Sequence, residues 1–124
     1  MGTGTPSYKL QVGNPGDGTE ARANNWNTFS SREFKTAVRA LEPEEYREIL
    51  KDLLEPEVVR YAYREDPGLT EHLGVIAEDA PWDIVTPDRK AVELSDYSAF
   101  LMAAIKAQQE RSGCCDEPAH GLQA

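Results

Sequence analysis

Pro43 and Pro56 bracket the segment PEEYREILKDLLEP, and the chain between them has one easy conformation. Pro43 suits a first helical position, where a missing N–H costs nothing and a fixed φ helps. Glu44 and Glu45 follow in the first turn, where the positive end of the helix dipole favours carboxylates. Tyr46, Ile49, Leu50, Leu53 and Leu54 then recur at the spacing of one helical face. The pattern predicts a helix over about 43–54, stopped by Pro56.

The rest of the chain is more broken. With 8 prolines and 9 glycines in 124 residues, a loop-rich single domain is expected, alone or with a short appended piece, and two independent cores are not. In YKLQVG, Tyr8, Leu10 and Val12 alternate with Lys9 and Gln11, which predicts a short strand. The turn formers of GNPGDG end it, and TEARANNWNTF offers few core residues, as an extended arm would. EVVRYAYRE alternates again, with Val59, Tyr61 and Tyr63 opposite Arg60, Ala62 and Arg64. DPG at 66–68 turns the chain into a second extended run, HLGVIAED; DIVTPDRKAVEL reads as two strand fragments joined at Pro87 and Asp88. A second helix, SDYSAFLMAAIKAQQER, opens with Ser95 as N-cap and Asp96 in its first turn. Its apolar face is Tyr97, Phe100, Leu101, Ala104 and Ile105, which packs either on the chain's own sheet or on copies of itself. The fold class is therefore α+β, a small mixed or antiparallel sheet with a middle and a C-terminal helix. The tail SGCCDEPAHGLQA is expected to be disordered.

A net charge of −9 disfavours nucleic acid and anionic membranes as partners, since both rely on clustered Lys and Arg. No apolar run approaches the roughly 20 residues that span a bilayer, and MGTGTPSYKL lacks the blocks of a secretory signal, so a soluble protein made in a cytoplasm is expected. Pro6 spoils the myristoylation pattern that begins at Gly2. Cys114 and Cys115 read as free thiols, and with only Asp116 and His120 near them no metal site is expected. His72, before an apolar run, reads as structural. Glu44 with Glu45 and Glu78 with Asp79 read as solvated surface in a chain with 22 acidic residues. No phosphate loop or dinucleotide fingerprint occurs, and no cofactor is expected.

One constellation remains. In NTFSSREFKTAVRAL, Ser30 and Ser31 stand five and four positions ahead of Lys35. Serine needs a base to become a nucleophile, and a lysine can serve once burial leaves its amine neutral. The spacing lets the side chains meet across a turn, although SxxxxK by itself is common and a plain surface turn explains it equally well.

The order of pieces from SSREFKTAVRALEPEEYREILKDLLEPEVVRYAYRED through EHLGVIAEDAP to IVTPDRKAVELSDYSAFLMAAIKAQQE resembles the C-terminal intramolecular chaperone auto-processing domain of bacteriophage tail fibres and tailspikes. The resemblance covers about residues 28–110 and divides the chain into a fibre-like β lead-in, 1–29, the chaperone domain, 30–111, and a disordered tail, 112–124. It implies a homotrimer that helps a fibre or tailspike polypeptide fold in the bacterial host cytoplasm and become part of the virion, and then cuts itself free. Ser30 takes the role of nucleophile and Lys35 that of general base, with Ser31 next in the motif and GVIAED at 74–79 a packing segment without a catalytic part. Attack within one chain, through a five-membered ring, favours a cut between Phe29 and Ser30, and attack by a neighbouring chain leaves a cut between Ser30 and Ser31 open. Because SGCCDEPAH stands where some relatives carry a long coiled coil, a weaker trimer is expected. The alternative is a non-catalytic trimerisation or capping module of a fibre tip or surface adhesin; a monomeric acidic adaptor is a third possibility.

Overall fold

The computed structural model describes residues 8–115, with side chains through Arg111. The expectations for the first residues, for tail disorder past Cys115, and for Asp116 and His120 lie outside that range. Over the described residues the fold is a small mixed α/β one: two α-helices, a two-stranded antiparallel sheet and three short 3-10 helices. It divides into two compact units, the first built from the chain up to Thr28 with Val58–Gly74, the second from Phe29–Glu57 with Val75 onward.

In the first unit, β1 (Val59–Tyr61) pairs antiparallel with β2 (His72–Gly74), Arg60 standing opposite Leu73. The turn between them is tied by the Asp66 carboxylate, which accepts the N–H groups of Thr70 at 3.0 Å and Gly68 at 3.1 Å. The strand expected at YKLQVG is absent: residues 8–10 form bends, and Tyr8 and Leu10 are exposed. Alternation is only half of a strand; the other half is a neighbouring strand, and the sheet among the described residues consists of β1 and β2. The GNPGDG corner does form, on Asp17, whose carboxylate takes the N–H groups of Asn14 and Thr19, both at 2.8 Å. Both Asp17 and Asp66 are held below the usual carboxylate range, chiefly by backbone N–H donors, Asn14 for the first and Thr70 for the second.

In the second unit, α1 (Pro43–Leu54) has the bounds its prolines predict. Glu45 fastens its start twice, accepting the Glu42 N–H at 2.8 Å and both guanidinium nitrogens of Arg39, each at 2.8 Å. These contacts, the Arg39 guanidinium first, hold the Glu45 carboxyl down to about 2 from an ordinary 4.5. A depressed carboxylate stabilises the fold above its ordinary value and ceases to do so as pH falls through the folded one. The gap in urea midpoint between the native chain and a Glu45→Gln variant is therefore expected to be full above about pH 5 and to close towards pH 2; a gap that stays constant over this range assigns the effect to another group.

The apolar face of α1 is as expected except at its end, where Leu54 is exposed; Leu50 is buried, and Tyr46, Ile49 and Leu53 are half-buried. It packs on α2 (Leu94–Cys115), which starts one residue before the expected cap: Tyr97 N–H bonds the Glu93 carbonyl, so Ser95 lies inside the helix. The helix backbone also carries Cys114 and Cys115, which the sequence places in a frayed tail. The buried side of α2 is Phe100, Ala103, Ala104 and Ala107, with Tyr97 half-buried; Leu101 and Ile105, expected on that face, point away from it and are exposed. Ala104 and Ala107 close on Leu50, while Phe100 joins Ala80, Ile84 and Val85 in the main cluster, which Val75, Ala77 and Tyr97 also touch. Every buried apolar side chain described lies in this second unit.

The remaining expected strands are shorter or replaced. HLGVIAED is a strand only through Gly74 and then a 3-10 helix, Ala77–Asp79. DIVTPDRKAVEL contributes a single bridge, Val85 with Val92, because a 3-10 helix at Trp82–Ile84 uses up the first fragment. Arg89, at a φ of 57°, folds back over these turns, donating to the carbonyls of Ala77, Glu78 and Ala80 while its guanidinium lies 4.1 Å from the Trp82 ring centre. One guanidinium nitrogen thus gathers the carbonyls of this turn, including that of Ala77, which also accepts the Ala80 N–H.

Candidate functional site

The two residues that the sequence pairs do meet. Lys35 Nζ donates to Ser30 Oγ at 2.8 Å, and both side chains are exposed. A short 3-10 helix, Arg32–Phe34, brings them together: the Phe34 N–H bonds the Ser31 carbonyl and the Lys35 N–H the Arg32 carbonyl, each at 3.1 Å. Ser31 is its N-cap, its hydroxyl accepting the Glu33 N–H at 3.3 Å. The two serines thus have separate structural positions: Ser31 shapes the turn, and Ser30 presents its hydroxyl to the lysine.

A second contact spans the same loop. The rings of Phe29 and Phe34 meet edge to face with centres 5.7 Å apart, although the two residues are 87% and 63% exposed. Sequence reasoning misses this pair because a five-residue separation is neither a helical nor a strand spacing; only the i to i+5 spacing shared with Ser30 and Lys35 signals it. Beyond the loop the chain bends at Ala37, whose φ of 53° is one that L side chains rarely adopt. An Ala37→Gly variant removes that strain at the cost of a looser unfolded chain, and a net gain of about 0.5–1 kcal/mol in unfolding free energy is expected by denaturant titration.

The other candidates sit apart from this pair. His72 lies between Tyr61 and Tyr63, with ring centres 5.4 and 5.3 Å away, as a packed structural histidine. Glu78 and Asp79 are exposed. Among the described residues no group of three or more His, Cys, Asp or Glu side chains is placed to hold a metal ion, and no helix is long and apolar enough to cross a membrane. A groove of about 570 Å³ runs between α1 and α2, with Leu41, Ile49 and Phe100 in its wall and Glu48, Asp52 and Asp96 around it; Ser30 and Lys35 do not line it.

The site and fold define a small α/β protein with a surface Ser–Lys pair. No protein-family model, curated protein or solved structure matches the chain.

Proposed function

We propose that this chain is the trimeric, self-cleaving chaperone domain of a phage tail fibre or tailspike, with Ser30 as nucleophile and Lys35 as base. The observation that carries the reading is the 2.8 Å contact between them. Ser30 Oγ adds to the Phe29 carbonyl; its proton passes to Lys35 Nζ and from there to the departing Ser30 nitrogen. The C–N bond breaks and an ester joins Phe29 to Ser30 Oγ, which water hydrolyses to a Phe29 carboxylate and a free Ser30 hydroxyl. Attack by a neighbouring chain's Ser30 carries no ring restriction, which leaves the bond between Ser30 and Ser31 open to cutting as well.

In the single chain Lys35 donates to the serine, whereas base catalysis needs it to accept. Covering the loop with a neighbouring chain excludes water and favours the neutral amine, so that cutting waits for assembly. Support for such a neighbour comes from α2, where Leu94, Leu101 and Ile105 are exposed at successive spacings of seven and four residues, those of a coiled-coil seam. The complete exposure of the dyad loop favours a second reading, a trimerisation or capping module that never cuts. Intact and native mass of the freshly expressed chain, beside Ser30→Ala and Lys35→Ala, separates the two. A fragment starting at Ser30 or Ser31 from the native chain alone, with trimeric variants, supports self-cleavage; three full-length trimers support the capping module.

A further inference from the structure

We infer that Phe34, through its edge-to-face contact with Phe29, is a positioning residue that holds Lys35 on Ser30; as a role in catalysis this rests on the self-cleavage reading above. The loop is closed by two side-chain contacts of identical span, 29 to 34 and 30 to 35, lying next to each other. A lysine side chain has four rotatable bonds, and ordering it on an exposed surface is entropically unfavourable. An aromatic pair has two torsions per ring and a preferred geometry, so it closes the loop more cheaply. Phe29 is also the residue whose carbonyl would be attacked. One ring contact therefore ties the acyl side of the bond to the residue that precedes the base.

The exposure of both rings separates this role from a structural one. Neither belongs to the two buried clusters, so removing one takes nothing from the core. An aromatic pair of this kind shifts the population of the closed loop by a factor of about 2 to 10.

The test uses the full chain. In an uncleavable Ser30→Ala background, the nuclear Overhauser effect between Lys35 Hε and the methyl at position 30 reports the loop geometry without any reaction. It is expected to weaken in Phe34→Ala and Phe29→Ala, to return in Phe34→Tyr, and to change without a shift in melting temperature. In the cleavable chain, the rate of fragment formation is expected to fall about 2- to 10-fold in Phe34→Ala and to recover in Phe34→Tyr. An Overhauser effect undiminished in both alanine variants overturns the inference, as does an unchanged cutting rate when that effect is lost. A native chain that never cuts sinks the self-cleavage reading instead, and the Overhauser comparison still decides whether Phe34 sets the geometry.

Discussion

On the self-cleavage proposal, Lys35→Arg is expected to slow cutting as much as Lys35→Ala does. The two variants fail for different reasons. Alanine removes both the hydrogen bond to Ser30 and the base; arginine keeps a cation within reach of the hydroxyl but cannot be deprotonated under protein conditions. General-base catalysis contributes about 10²–10⁴-fold, so fragment formation should be slower by about that factor in either variant. The measurement is a time course of intact mass after rapid purification. If Lys35→Arg cuts at the native rate, the lysine serves only to orient Ser30, and the base is elsewhere. Ser30→Ala should yield no fragment at all, since it lacks the attacking oxygen.

How far these features were legible depends on whether their cause is local. The start and end of α1 were readable because Pro43, Pro56 and the first-turn carboxylates act within a turn of where they stand. The bidentate Arg39 on Glu45 was not, because it requires the chain before the helix to fold back. The lead-in shows the opposite failure: Tyr8, Leu10 and Val12 alternate correctly, but a strand is a property of two segments. On α2, Leu94, Leu101 and Ile105 form one apolar stripe and Phe100, Ala103, Ala104 and Ala107 another, so periodicity finds the helix without saying which stripe its own chain buries. The alanines win because their small side chains let α1 approach, whereas reading by hydrophobicity favours the larger residues. Arg89 left no local trace; its role depends on carbonyls ten or so residues away and on a backbone angle usually left to glycine. At the dyad, spacing alone made contact between Ser30 and Lys35 possible, and the Ser31-capped 3-10 helix is what brings it about.

The buried cluster that Phe100 of α2 joins and the exposed outer stripe of the same helix make the last prediction one of contrast. Ile84 is 1% exposed at the centre of the main cluster, and Ile84→Ala is expected to cost about 2–5 kcal/mol, a large share of the roughly 5–15 kcal/mol that holds a domain together. Ile105, at 64% exposed, should tolerate the same change to within about 0.5 kcal/mol in the unfolding of a single chain. If a neighbouring copy covers the outer stripe, Ile105→Ala instead weakens the trimer, and on the proposal that cutting waits on assembly, fragment formation slows with it. That loss has a signature that a damaged dyad lacks: raising the chain concentration restores it by mass action, whereas no concentration restores cutting to Lys35→Arg. Native mass and cutting rate measured across a concentration series would show both effects together. An Ile105→Ala chain that trimerises and cuts like the native one at every concentration means that the outer stripe of α2 is not the surface on which copies meet.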